Sequence, residues 1–145
     1  MYAHILIATD GSELAGKAVE QGLTLAKTLG SKVTAITVTE PWTAAVSGEW
    51  AVAFPVEEYE HTAAANAQKI LSRVHETSQR IGIACETVHV KDQFPAEGIV
   101  EEAKARGCDL IVMSSHGRRG LAKFVLGSQA TRVLTHSDVP MLICR

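Results

Sequence analysis

Apolar and polar positions alternate along the chain in two different rhythms. Ile5-Leu6-Ile7-Ala8 is a continuous apolar run, the pattern of a strand covered on both faces. Asp10-Gly11-Ser12 turns the chain, and Ser12 suits the cap of a helix running through Leu29. In that helix Leu14, Ala18, Gly22, Leu25 and Leu29 fall on one face, and Gly30 is a natural stop. Lys32–Val38 reads as a second strand. A long connection, Thr39–Pro55, then carries both tryptophans, Trp42 and Trp50, and Phe54; it is expected to be a partly folded flap over the core, with a lid or interface segment as the alternative. The helical rhythm returns from Val56 to Ile81, with Ala63, Ala67, Ile70, Leu71, Val74 and Ile81 as the apolar stripe and Gly82 as the stop. Cys85–Val90 reads as a third strand. Pro95 fits the first turn of the next helix, where Ile99, Val100 and Ala103 face inward. Asp109–Met113 is the clearest buried strand. A helix from Ser128 to Thr135, carrying Val133 and Leu134, and a last strand, Val139–Cys144, complete the pattern.

The alternation β-α-β-α-β-α-β-α-β predicts an α/β fold: one doubly wound, parallel, five-stranded sheet with helices on both faces, Rossmann-like in plan. A length of 145 residues suits one domain over 1–145. Ligands of such sheets bind beyond the carboxyl ends of the strands, where the strand order reverses. Two strand ends carry suggestive residues there: Ala8-Thr9-Asp10-Gly11-Ser12 and Met113-Ser114-Ser115-His116-Gly117.

Composition narrows the partners. Apolar residues make up 46% and charged residues 21%, which fits a packed core and argues against disorder. A net charge of -2 argues against a broad nucleic-acid surface, which needs clustered Lys and Arg. No apolar run reaches the roughly 18 residues of a membrane span, and Met1–Ile5 reads as the start of a strand rather than a signal peptide. Cys85, Cys108 and Cys144 form no metal pattern and are expected as free thiols in a reducing cytoplasm.

The chemistry concentrates between Ser114 and Ser128. Small residues and glycines there let backbone N–H groups turn toward an anion. Gly127-Ser128 opens a helix whose N-terminus favours a phosphate. The Ser128 hydroxyl adds a donor, and Arg118, Arg119, Lys123 and Arg132 can offset phosphate charge. A tight turn with Ser128 as a simple helix cap accounts for the same spacing. Neither GxxxxGK[ST] nor an early GxGxxG is present. Gly117-Arg118-Arg119-Gly120 has the form of a KH clamp, but it follows a buried strand in an acidic protein. Ala8, two residues before Asp10, removes the nucleophile of a DxDG[ST] phosphatase. A response regulator would pair Asp92 with further acids and a lysine that are missing. His116 lies in the phosphate loop, where a base or phosphoacceptor is one reading, ranked below a loop-capping or exposed histidine.

Taken together, the chain resembles the ATP-binding members of the universal stress protein (UspA) superfamily along essentially its whole length. Their signature, G-x2-G-x9-G-[ST] after the fourth strand, aligns as Ser114-x2-Gly117-x9-Gly127-Ser128, with serine at the first glycine. The opening Ile5–Ser12 and the closing Asp138–Ile143 resemble the family as well. The resemblance implies strand order 3-2-1-4-5 and an ATP site. Asp10 would contact ribose or metal-linked phosphate, with Ala8 and Thr9 as neighbouring backbone contacts. Val38 would touch adenine. Met113, Ser114 and Gly117 would form the ribose-phosphate loop, with Arg118 beside it as a cofactor-binding residue that offsets phosphate charge, and Gly127, Ser128, Gln129 and Ala130 the helix end that holds phosphate. If position 114 needs a positive φ, serine weakens binding; otherwise its hydroxyl can add a contact.

The implied function is a dimeric, cytoplasmic stress-response module that binds ATP, with or without magnesium, and has no intrinsic metal site. The uncovered apolar strand Val139–Cys144 would pair with a symmetry mate. A slow ATPase or self-phosphorylating enzyme ranks below binding, since no residue stands out as general base. A nucleotide-free dimerisation scaffold is the third reading.

Overall fold

The computed structural model describes residues 1–49, 53–117 and 125–145. The elements run β1 (His4–Ala8), α1 (Glu13–Leu29), β2 (Lys32–Val38), a short α2 (Trp42–Ala45), α3 (Val56–Ile81), β3 (Glu86–Val90), α4 (Pro95–Ala105), β4 (Leu110–Ser114), α5 (Ser128–His136) and β5 (Met141–Cys144). The five strands form one parallel sheet in the order β3-β2-β1-β4-β5. This is the doubly wound α/β architecture expected from the alternation of patterns. β1 and β4 lie at its centre, which is why both are continuous apolar runs.

Two cores follow from the two faces. On one side Ile5, Ile7, Val33 and Val112 pack against Ala18, Leu23 and Ala26 of α1 and Val74 of α3. On the other Leu6, Ile36, Ile111 and Met113 pack against Ala96, Ile99 and Ala103 of α4 and Ala130 and Val133 of α5. The buried α1 stripe is Ala15-Ala18-Val19-Gly22-Leu23-Ala26, which keeps Ala18 and Gly22 of the expected face but not Leu14, Leu25 and Leu29. Leu14 and Leu25 are half-buried and Leu29 is exposed. Small residues win the contact because α1 lies close to the sheet: a Cβ at Gly22 would stand 2.8 Å from Ile7 Cδ1. In α3 the fully buried set is Ala67, Ile70, Val74 and Ser78, while Ala63, Leu71 and Ile81 are half-buried. In α4, Ile99 and Ala103 are buried as expected and Val100 is half-buried; in α5, Leu134 is exposed.

The helix ends behave as the sequence implies. Ser12 Oγ accepts the Ala15 N–H, and Gly30 and Gly82 close α1 and α3 in left-handed conformations. The strand boundaries shift by a residue or two. Cys85, Asp109 and Val139-Pro140 lie outside their strands, and Ser114 lies inside β4. The Thr39–Pro55 connection contains α2, and Trp42 Nε1 donates to the Phe54 carbonyl at 2.9 Å. Trp50 lies outside the described residues. The three cysteines are free; burial pushes the Cys85 and Cys108 thiols up to about 11.

Candidate functional site

The sheet order reverses between β1 and β4, so the chains leaving their carboxyl ends diverge and open a crevice. A cleft of about 400 Å³ occupies this position. Eleven of the twelve residues expected at the site line it. Ala8, Thr9 and Asp10 come from the end of β1 and Val38 from the end of β2. Met113, Ser114 and Gly117 follow β4, and Gly127, Ser128, Gln129 and Ala130 open α5. Arg118, the twelfth, lies outside the described residues, as do Arg119 and Lys123. Arg132, a candidate for phosphate charge, is instead bound to Glu97 of α4 at 2.6 Å.

One wall is apolar. Ile36, Val38, Pro95, Ile99, Met113 and Ala130 line it, contributed by β2, α4, β4 and α5. The opposite end is polar and backbone-rich. The N-cap of α5 is Gly127, not Ser128, and it has no side-chain capping bond. Among the described residues no side chain caps the first N–H groups of α5, the groups that a helix start leaves for another acceptor. A Cβ at Gly117 or Gly127 would meet a neighbour, a movable side chain at the first and fixed backbone at the second. At Gly117 it would stand 2.5 Å from Asp10 Oδ2, and at Gly127 2.5 Å from the Ser115 carbonyl oxygen. In the wall, Gln129 Oε1 is buried and has no hydrogen-bond partner among the described residues.

Local hydrogen bonds hold these groups in place. Asp10 Oδ1 accepts the Ser12 N–H at 2.9 Å, which turns the chain from β1 into α1. Thr9 N–H donates to the Ile36 carbonyl, and Thr9 Oγ1 accepts the Gly11 N–H. The Gly127 N–H donates to the Ser115 carbonyl at 2.8 Å, tying the start of α5 to the end of β4. Ser114 does not adopt a positive φ, so its backbone has no need of glycine. Its hydroxyl donates to the His116 carbonyl at 2.8 Å.

Several lining residues escaped sequence reading. Glu40 enters the cleft beyond β2, and its carbonyl accepts the Tyr59 hydroxyl at 2.8 Å. Burial first, and the nearby Glu40 charge second, raise the Tyr59 phenol above its ordinary value. Ile36, Pro95 and Ile99 were legible as strand and helix residues but not as cleft residues. Ser115 was visible inside the loop without a role, and His116 chiefly as a loop-capping or exposed residue. The described lining is thus acidic at Asp10 and Glu40, apolar in the middle and rich in N–H groups at α5.

A parallel α/β sheet with a cleft at its switch point defines a class of small-ligand binding folds. Within that class, the Universal stress protein family matches residues 1–145, and the chain belongs to it. Universal stress protein MJ0531 of Methanocaldococcus jannaschii is 30% identical, over 100% of this chain and 83% of the relative. The solved structure of MJ0577, from the same organism, is similar with a TM-score of 0.83 at 28% identity, covering 99% of this chain and 96% of that one. A universal stress protein crystallised in complex with cAMP shares the fold at a TM-score of 0.71 and 22% identity, covering 99% and 97%.

Proposed function

We propose that this universal stress protein binds an adenine nucleotide, ATP in the first instance, and acts as a dimeric stress-response module in the cytoplasm. Residues 1–145 then work as one domain. The observation that carries the reading is the polarity of the cleft. An apolar slot of Val38, Ile99 and Met113 suits a purine, and the open N-terminus of α5 suits phosphate. Two close approaches, at Gly117 and Gly127, keep side chains out of the space between. The cAMP complex of a family member supports an adenine ligand.

The fit extends to magnesium only through the ligand. Asp10 is the carboxylate at hand for a cation carried by phosphates. No group of three or more metal-binding side chains occurs among the described residues. Exposed Leu142 on the edge strand β5 and exposed Leu134 on α5 support pairing with a second copy. No helix among the described residues is long and apolar enough to cross a membrane.

Denaturing freshly purified protein and chromatographing the supernatant tests the ligand. Released adenine nucleotide is the expected result, with calorimetric heat on adding Mg-ATP to emptied protein. Neither nucleotide nor heat would leave a nucleotide-free scaffold as the better account. Phosphate release over hours, abolished by Asp10→Ala, would make the protein an ATPase.

A further inference from the structure

His116 lines the cleft one residue before Gly117, and the loop beneath it is pinned from three sides. The Ser115 N–H donates to the Cys144 carbonyl of β5 at 2.8 Å. The Gly127 N–H donates to the Ser115 carbonyl. Ser114 Oγ donates to the His116 carbonyl at 2.8 Å. The ring is therefore carried on a backbone set by β4, β5 and α5 together.

A fourth contact fixes the ring itself. Ser115 Oγ lies 3.0 Å from His116 Nδ1. Ser115 is buried, and among the described residues this nitrogen is the partner of its hydroxyl. A buried hydroxyl that does not donate leaves its proton unpaired at a free-energy cost. The hydroxyl therefore donates to Nδ1, which places the proton of the neutral ring on Nε2. The ring edge that carries Nε2 faces α5: a Cβ at Gly127 would stand 3.5 Å from Cδ2, the carbon bonded to Nε2.

We propose that His116 donates its Nε2–H to a phosphoryl oxygen of the bound nucleotide and is the residue by which the cleft prefers nucleotides to nucleosides. The inference rests on the nucleotide reading above. Asp10 and Glu40 bring negative charge to the same cleft, so discrimination in favour of a phosphate needs donors. The α5 N–H groups supply some, and His116 adds a side-chain donor whose direction Ser115 sets. A buried hydroxyl dedicated to orienting one imidazole fits a ring that receives a ligand rather than one that merely caps a loop.

The test is calorimetric titration of the full chain with adenosine, AMP and ATP, for the unaltered protein, His116→Ala and His116→Gln. Glutamine carries an N–H donor near the position of Nε2 without the ring. His116→Ala is expected to weaken AMP and ATP on the order of tenfold and to leave adenosine within about twofold, as for one hydrogen bond to a charged group. His116→Gln is expected to recover most of the loss. Equal losses for adenosine and AMP would make His116 a packing residue and overturn the proposal, as would unchanged AMP affinity in His116→Ala. Unaltered protein that binds adenosine and AMP equally would overturn this inference alone. Protein that binds neither would remove the nucleotide reading and this inference with it. Nitrogen-15 NMR of the unaltered protein needs no variant. It should show the Nε2-protonated tautomer at His116 and a shift of that nitrogen on adding AMP. An Nδ1-protonated ring, or no shift on saturation, would also refute the proposal.

Discussion

Two glycines in the signature loop do different work, and the difference is measurable. A Cβ at Gly127 meets backbone: the Ser115 carbonyl oxygen at 2.5 Å and His116 Cα at 3.3 Å. Backbone cannot swing aside, so Gly127→Ala must separate α5 from the β4 loop and break the Gly127 N–H bond to Ser115. Overpacking of this kind costs roughly 1–3 kcal/mol, so the thermal midpoint by circular dichroism should fall by about 5 °C or more. An unchanged midpoint would mean the loop and helix are not tied as the distances require. A Cβ at Gly117 meets Asp10 Oδ2 instead, the end of a side chain. Gly117→Ala should hardly alter stability but should push the Asp10 carboxylate aside and weaken nucleotide binding. That loss should disappear when Asp10 is already alanine, since the two sites then no longer share a contact. Calorimetry on the four proteins of the cycle decides it, and additive losses would refute the coupling. Ser114, where the family pattern has its first glycine, keeps a non-positive φ and gives its hydroxyl to the His116 carbonyl. Serine here is compatible with the backbone, and its hydroxyl is committed to shaping the loop.

Between elements, the amino end of the sheet is closed by a carboxylate. Asp109, just before β4, accepts the N–H of Ala3 at 2.8 Å and of His4 at 2.9 Å, so it clamps the start of β1. The donated Ala3 and His4 N–H groups hold its carboxyl below the usual range. A depressed pKa in the folded state stabilises above the unfolded value of about 3.9 and is lost as pH falls through the folded value. Asp109→Asn should therefore lower stability at neutral pH, and the gap from the unaltered protein should narrow on acidification below about pH 4. Urea denaturation at several pH values checks this, and a gap independent of pH would refute it. The elements most legible in sequence were those whose environment is uniform. β1 and β4, buried on both faces, appear as unbroken apolar runs, whereas the edge strand β3 mixes polar and apolar residues. Boundaries slid by a residue or two at β3, β4 and β5 alike. Along α1 the sequence placed Ala18 and Gly22 correctly, but it put Leu14, Leu25 and Leu29 on the face that Ala15, Val19, Leu23 and Ala26 occupy. The site was legible where one segment carries it, at Ser114–Gly117 and Gly127–Ala130. It was not legible where topology alone brings residues in, as at Glu40, Pro95 and Ile99. The Arg132–Glu97 bridge between α5 and α4 also depends on an approach that no spacing reveals.

At the scale of the whole molecule, β5 links the edge of the sheet to the cleft. β5 pairs with β4 on one side, and its Leu142 is 38% exposed. At the end of the same strand, the Cys144 carbonyl accepts the N–H of Ser115, the residue whose hydroxyl orients His116. If a second copy pairs along β5, the strand that forms the interface is therefore hydrogen-bonded directly to the loop that carries His116 into the cleft. Lysine at an exposed edge position opposes pairing, because it sets like charges across a two-fold axis and resists burial. Leu142→Lys should accordingly reduce the mass in light scattering from twice 15.5 kDa to that of one chain at micromolar concentration. Coupling between two sites is reciprocal in free energy. The same substitution should therefore weaken AMP binding, and AMP should tighten the dimer of the unaltered protein, by the square of that factor when both sites fill. A monomeric unaltered protein would refute the interface. A Leu142→Lys monomer that binds AMP as well as the dimer does would keep the interface and refute the connection through Ser115.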